Sequence, residues 1–295
     1  MVMKMKEKRI SVVTPVFNGS EYIERCIISI KNQNYNNFEH IIIDGGSTDG
    51  TDIIIQKYLG TYNLKYICQK DNGMYDAIVK GFDLASGEIF AWLNSDDEYM
   101  PWAFSVMNYA ISQGIHWGMG LKANRNEDDI LYQVKDLYYY KQKWLKKQYY
   151  GSYLDCVQQE STFWTKELWI KAKGREIASF HLAGDSKLWS KFAEYEPIYS
   201  IDTVISSFRH RAGQLSSNYD KYRAEMNLKG IGVFAKLFLL LNSVFYEKKF
   251  NMISNRVFLA KTFRIIGEDA AQRIILKACK KFHILVLPQS FKINM

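Results

Sequence analysis

Short apolar runs alternate with longer amphipathic stretches along the first hundred positions. Ile10–Val16, Phe38–Ile43, Leu64–Cys68 and Ile89–Leu93 are each rich in β-branched and aromatic residues and short enough to be strands. Between them, Glu21–Lys31 has helical spacing behind Ser20, a side chain suited to an N-cap. Asp49 or Thr51 can cap a second helix reaching Tyr58, and Met74–Ala85 gives a third. Pro101 stands where the first turn of a further helix tolerates it. This βαβαβαβ order predicts a mostly parallel sheet with helices on both faces.

The rhythm loosens from about residue 115 to 210, where aromatic-rich pieces such as Tyr138–Tyr140 and the basic Lys141–Lys147 lack clean periodicity. Gln158–Trp164 reads as a strand, Lys166–Ala172 as a helix and Asp185–Tyr195 as another. Beyond Tyr219 the chain turns amphipathic and basic. Ile231–Tyr246 is apolar but includes Lys236, and it falls short of the roughly 20 residues that a membrane span needs. No internal repeat or low-complexity segment is present.

Composition narrows the class. Of 295 residues, 47% are hydrophobic and 24% charged, as in a folded soluble protein, while the 15% aromatic share suits an aromatic-lined cleft or an interface. Cys26, Cys68, Cys156 and Cys279 form no CxxC pair, so neither a disulfide framework nor a zinc site is expected, and a reducing compartment is the simpler reading. The basic stretch from Met1 to Arg9 lacks a small-residue cleavage site and does not read as a signal peptide. Residues 221–295 carry fourteen Lys and Arg against four Asp and Glu, so the +8 of the whole chain belongs to its tail. With no nucleic-acid module in sight, that charge suits an anionic lipid surface better than nucleic acid, which is not expected as a partner.

The chemistry sits where strands stop. Open α/β sheets bind ligands beyond the carboxyl ends of their strands, and two of these ends are acidic. Ile41–Ile42–Ile43 delivers Asp44, followed by Gly45 and Gly46, which let a flat ligand approach the backbone. A carboxylate there can accept from a ring N–H, although Asp44 and Asp49 can equally cap the next helix. Ala91–Trp92–Leu93 delivers Asn94, Ser95, Asp96 and Asp97, hard oxygen donors that suit Mg²⁺ or Mn²⁺, or else a solvated turn capping the Pro101 helix. The first strand ends in Thr14, Pro15, Val16, Phe17 and Asn18, where a hydroxyl and backbone groups can face a ligand or merely turn the chain.

As an ordered set, Ser11–Asn18, Asp44–Thr51, Gly73–Ala77 and Leu93–Asp97 resemble the family 2 glycosyltransferases, inverting enzymes of the GT-A fold that use nucleotide-sugar donors. The resemblance covers about residues 9–210. It implies an α/β fold, a Rossmann-like mixed but mostly parallel sheet flanked by helices. Residues 1–219 would be catalytic, with a nucleotide-sugar half to about 100 and an acceptor half from 101. Residues 220–295 would be a basic amphipathic helical extension.

On matching positions, the resemblance implies a donor site made of Thr14, Pro15, Phe17, Asn18, Asp44, Gly45, Lys70, Gly73, Asp76, Asn94, Ser95, Asp96 and Asp97. Asp44 would meet the base, Lys70 and Asp71 the ribose or diphosphate, Asp96 a Mn²⁺ or Mg²⁺ ion, and Asp97 the sugar. Asn94 departs from the family, which often has an acid there. The segment Gln159–Glu160–Ser161–Thr162–Phe163–Trp164 precedes the general base, for which Asp185 is the candidate and Glu160 the runner-up. Gln159, Glu160 and Trp164 would line the acceptor side. Where many relatives carry a second acid before the base, this chain has Gly184. Phe208–Ser216 resembles the closing loop, with Arg209 or His210 meeting the diphosphate and His210 joining Asp96 at the metal.

The expected activity is sugar transfer from a nucleotide-diphosphate sugar, UDP-sugar favoured, to a glycan or lipid-linked acceptor in surface polysaccharide synthesis. The enzyme would be cytoplasmic and peripheral on the cytoplasmic membrane face through residues 220–295, with its oligomeric state open. A noncatalytic nucleotide-sugar or carbohydrate-binding protein is the alternative. A nucleotidyltransferase would carry a Gly-rich phosphate loop near the N-terminus, and Thr14–Ser20 is not one.

Overall fold

The structure is a computed structural model that describes residues 6–135, 137–211, 213–214, 218–226, 234, 237, 239, 241 and 284–285. The chain begins with β1 (Ile10–Val16), α1 (Ile23–Lys31), β2 (Phe38–Asp44), α2 (Thr51–Gln56), β3 (Leu64–Cys68), α3 (Met74–Asp83) and β4 (Ile89–Trp92). It continues through β5 (Glu98–Tyr99), α4 (Ala103–Ser112), β6 (Trp117–Met119), β7 (Ala123–Arg125), β8 (Leu131–Val134) and α5 (Gln142–Leu145). A 3₁₀ turn, Gln159–Ser161, leads into β9 (Thr162–Thr165) and α6 (Lys166–Lys171). After a second 3₁₀ segment, Gly174–Ser179, come α7 (Gly184–Tyr195), β10 (Tyr199–Ile201), β11 (Ser206–Arg209), α8 (Tyr219–Glu225) and β12 (Ile284–Leu285).

The main sheet runs β12-β10-β6-β9-β4-β1-β2-β3, parallel throughout except for β9, which opposes both neighbours. Ile10, Val12, Ile89 and Ala91 pack on one face, and Val13, Ile41 and Phe90 on the other. Burial on both faces explains why these strands read as apolar runs without alternation. The chain moves outward from β1 to β2 and β3 and then returns to the far side of β1 as β4. The carboxyl ends of β1 and β4 therefore flank a switch point, where such sheets take ligands. A smaller sheet, β5-β11-β7-β8, carries the segment after β11 to this end.

Three local expectations differ. Ser20 does not cap α1: Tyr22 holds that position without a side-chain bond, and the Ser20 N–H instead donates to Asp49 Oδ2 at 2.9 Å. Gly50, at φ 91°, precedes α2 in place of Asp49 or Thr51. Gln158–Trp164 divides into the 3₁₀ turn and β9, because Thr162 Oγ1 turns back to donate to the Gln158 carbonyl at 2.9 Å. Among the described residues, no helix is long and apolar enough to cross a membrane. The expected extension, 220–295, lies outside the described residues apart from 220–226 and the few positions named above.

Candidate functional site

The β1 and β2 ends are tied into one wall. Asn18, at φ 50°, donates its N–H to Ser47 Oγ at 2.8 Å, and its Oδ1 accepts the Thr48 N–H at 2.9 Å. Asn is among the residues that tolerate this left-handed conformation. Asp49 accepts from Thr51 and Ser20; burial works to raise its carboxyl, but these bonds prevail and hold it well below the usual range. Phe17 projects outward, 66% exposed.

Asp44 is fully buried, and its Oδ1 accepts from the N–H groups of Gly46 (3.0 Å) and Ser47 (2.8 Å) and the Ser47 hydroxyl (2.7 Å). Its Oδ2 accepts the Tyr66 hydroxyl at 2.9 Å. Four donors match the roughly four lone-pair sites of a carboxylate. Three of these donors are on Oδ1, so a ring N–H would meet Oδ2, where the Tyr66 hydroxyl takes one lone pair. Gly45 is small for a reason: a Cβ there would lie 2.8 Å from Asp71 Oδ2. Asp71 in turn accepts the Gly73 N–H, and Asp76 accepts the Asn72 N–H at 2.9 Å while pairing with Lys80 at 3.1 Å. Lys70 is exposed, with its carbonyl bound by Lys80.

Two expected contact residues face elsewhere. The Thr14 side chain is fully buried, bonded to His40 Nε2 at 2.8 Å, so its hydroxyl does not reach the crevice, and Pro15 beside it is buried as well. Trp164 is also fully buried, packed against Trp92, Trp169 and Trp189, and stacks on no sugar. A continuous apolar strand gives no sign of which face a residue takes, and both side chains went to the core.

At the β4 end, the Asp97 N–H closes a turn onto the Asn94 carbonyl at 3.1 Å, and Ser95 lies against Gly19. Asp97 is 1% exposed; burial, with Glu160 and Asp96 nearby, lifts its carboxyl well above the usual range, while the Arg209 N–H donates to it at 2.9 Å. Glu160 is similarly pushed up to about 8, chiefly by burial. Gln159 donates to the Trp92 carbonyl at 2.7 Å, which fixes Glu160 beneath the β4 end. Asn94 Oδ1, Asp97 Oδ2, Gln159 Oε1 and Glu160 Oε1 are buried acceptors without a partner. Such groups are costly unless a donor arrives, and sugar hydroxyls are donors.

Asp96 carries the charge at this end, and its Oδ2 accepts Arg211 Nε at 2.7 Å. His210, one position earlier, packs its exposed ring beside Phe208 and Tyr132, with centroids 4.9 and 6.1 Å away. No group of three His, Cys, Asp or Glu gathers among the described residues. A divalent ion would find one carboxylate, Asp96, ion-paired with Arg211, a neutral amide at Asn94 and a buried carboxyl at Asp97. Asp96 and Asn94 are the groups here that would hold a Mn²⁺ or Mg²⁺ ion, which needs only one or two protein oxygens beside substrate phosphates.

Asp185 opens α7, half-buried, and three donors converge on its Oδ1: the Ser186 N–H at 2.7 Å, Tyr222 at 3.0 Å and Tyr75 at 3.3 Å. Burial raises its carboxyl above the ordinary range while those bonds work against the rise. Tyr75 packs edge-on to Trp92, centroids 6.2 Å apart, which links Asp185 to the β4 end. Gly184 follows from this packing, since a Cβ there would lie 2.6 Å from the Tyr75 ring and leaves no room for a second acid. Sequence reasoning missed Tyr75, Tyr222 and Glu225. Glu225 accepts the N–H groups of His181, Leu182 and Ala183 at 2.6–2.7 Å. Only the aromatic and acidic residues in a segment otherwise read as basic tail hinted at that clamp.

Residues 11–155 match the glycosyl transferase family 2 domain. An uncharacterised glycosyltransferase of Rickettsia typhi is 25% identical over 277 residues, covering 88% of this chain and 86% of that one. A Campylobacter jejuni GalNAc(5)-diNAcBac-PP-undecaprenol beta-1,3-glucosyltransferase is 33% identical over 115 residues, 36% of this chain and 35% of its own. Among solved structures, S. aureus TarS in complex with UDP-GlcNAc superposes with TM-score 0.57 at 17% identity, covering 93% of this chain and 80% of that one. The Pyrobaculum calidifontis mannosyltransferase PcManGT, in complex with GDP-Man and Mn²⁺, gives 0.54 at 16% identity over 94% and 81%. These likenesses agree with the mixed, mostly parallel GT-A sheet.

Proposed function

We propose that this chain, whose residues 11–155 match the glycosyl transferase family 2 domain, is an inverting hexosyltransferase of that family. It moves a sugar from a nucleotide-diphosphate donor, a UDP-sugar by preference, to a glycan or lipid-linked acceptor in surface polysaccharide synthesis. The observation that carries this reading is Asp185: a carboxylate with its donors gathered on Oδ1 and Oδ2 left to take a proton. The acceptor hydroxyl oxygen attacks the anomeric carbon from the face opposite the diphosphate. The C–O bond to the diphosphate breaks, its electron pair leaves on phosphate oxygen, and the hydroxyl proton passes to Asp185 Oδ2. The raised carboxyl makes Asp185 a stronger base than a solvated Asp.

The donor lies along the β1, β2 and β4 ends, with its base toward Asp44, its ribose near Asn94 and its sugar over the buried acceptors of Asn94, Asp97, Gln159 and Glu160. The wall built by Asn18, Ser47 and Asp49 supports this placement. A lipid-linked acceptor accords with the basic tail and with Phe234, Leu237 and Leu241, exposed helical residues whose spacing places them on one face.

Asp185→Asn tests the reading against noncatalytic binding. It should abolish release of nucleotide diphosphate from a donor panel in the presence of an acceptor pool, with donor affinity within about threefold of wild type. Equal turnover by the variant would remove Asp185 from the chemistry. Absence of turnover by the wild type with every donor would favour the binding protein.

A further inference from the structure

We infer that Lys143, Lys146 and Lys147 form a docking surface for anionic phospholipid headgroups, one that sets the acceptor side of the site against a membrane. The surface lies on the body of the molecule, apart from the basic tail. The choice of lipid rests on the glycosyltransferase reading above, with its lipid-linked acceptor.

The charge here is one-sided. Residues 137–154 hold four Lys, six Tyr and no Asp or Glu. Asp155, the next acid along the chain, is taken by Lys122 at 2.8 Å and Lys135 at 3.3 Å. Lys143, Lys146 and Lys147 are exposed, and among the described residues none of the three is in an ion pair. Spacings of three and four place them on one face of α5 and the turn after it. Trp144 and Leu145, between them in sequence, are buried in the core.

Position separates this face from an ordinary solvated one. Helix α5 packs along α7, the helix that Asp185 opens. Gln142 Nε2 donates to the Ala193 carbonyl at 2.8 Å toward the far end of α7, and Gln148 Nε2 to Ser186 Oγ at 3.5 Å, next to Asp185. The lysines therefore run toward the base, with Lys146 and Lys147 at the near end. Beyond them Tyr149 and Tyr153 stand half-buried, centroids 5.9 Å apart, with the Arg223 guanidinium 5.2 Å from the Tyr153 centroid. Tyrosines with one apolar and one wet end, beside lysines, suit the level of lipid headgroups.

Nucleic acid is the other polyanion that lysines attract, but without base-specific contacts it also needs ring faces on which bases stack. Trp144 and Tyr150 are buried, and the Lys141 ammonium covers the Trp144 ring at 4.1 Å, so neither ring offers such a face.

Co-sedimentation of the full-length protein tests the assignment, with vesicles of phosphatidylcholine alone and of an equal mixture of phosphatidylcholine and phosphatidylglycerol. Wild type should bind the mixed vesicles and lose most of that binding on phosphatidylcholine alone or in high salt. The triple variant Lys143→Ala, Lys146→Ala, Lys147→Ala should partition into the mixed vesicles about tenfold or more weakly, whatever the tail retains. The corresponding triple Lys→Arg variant should stay within about threefold of wild type, because headgroup attraction follows charge. Melting temperatures close to wild type establish that both variants fold. An Ala variant that partitions like wild type would overturn the assignment, as would wild-type binding equal on the two kinds of vesicle. Loss of single-stranded oligonucleotide binding in the Ala variant, with vesicle partition unchanged, would give the surface to nucleic acid instead. Release of nucleotide diphosphate is read separately: absence of turnover beside intact, lysine-dependent docking would overturn the glycosyltransferase reading alone.

Discussion

Asp185 concentrates its bonds on a single oxygen, and the donors come from three elements: Ser186 on α7, Tyr75 on α3 and Tyr222 on α8. Each donor stabilises the ionised form, so removing one raises the carboxyl further. Tyr222→Phe should therefore move the acidic limb of the pH profile of kcat/KM upward by about one unit, the size of one hydrogen bond to a charged group. At pH well above the limb the rate should approach that of wild type, whereas a variant that is merely misfolded loses rate at every pH. Gly184 is bound by the same geometry. The Tyr75 ring is pinned by Trp92 and by the bond from its hydroxyl to the Leu182 carbonyl at 3.0 Å, so it cannot retreat from a new Cβ. Gly184→Ala should cost about 1–3 kcal/mol in urea unfolding, the range for overpacking. Asp185 entered as a candidate through the resemblance, as the acid at a helix start after the Gln159–Trp164 segment. Its tyrosine partners lie 110 and 37 residues away in sequence, and no periodicity reports such distances.

Helix α8 changes meaning once its contacts are seen. As sequence, Tyr219–Glu225 looks like the first turns of a basic extension; in the structure, Tyr222 reaches Asp185 and Glu225 gathers three backbone N–H groups before α7. Burial works to raise the Glu225 carboxyl, and those three bonds outweigh it and hold it below the ordinary range. Its contribution is thus present above the unfolded carboxyl pKa and fades as pH falls through the lower folded value. Glu225→Gln should speed amide hydrogen exchange at His181, Leu182 and Ala183 by about tenfold or more at neutral pH. Unchanged protection would detach α8 from the base. The first four strands were legible as elements, nearly to the residue: burial on both faces makes the composition of β1, β2 and β4 unmistakable, and β3, at the sheet edge and partly exposed, shows through its apolar positions. The pieces from β6 to β8 were not, since three- and four-residue strands are too short to show a period and depend on neighbours distant in the chain.

At the scale of the molecule, the sheet separates a site end from an anchoring end. Asp44 and Asn94 stand at or just beyond the carboxyl ends of β2 and β4, while Glu39 is buried near the opposite end, beside Ser11 in register. Burial alone would raise the Glu39 carboxyl, yet Lys65 at 2.8 Å and the Ser86 and Ser11 donors at 2.7 Å each lower it to about 2. These bonds join β1, β2, β3 and the turn entering β4, the strands that set the spacing of the donor wall. The folded pKa lies below the ordinary value of 4.5, so the stabilisation is complete above that value and lost as pH falls toward 2. Glu39→Gln should therefore lower the unfolding free energy by about 2–3 kcal/mol at pH 7, with the gap from wild type roughly halved at pH 3 and closing only as pH falls through about 2. Denaturant unfolding at the two pH values measures it. Because the loss falls on the anchoring end, nucleotide affinity of the folded variant should stay within about twofold of wild type. A large loss of affinity at full folding would mean that the two ends of the sheet are mechanically coupled.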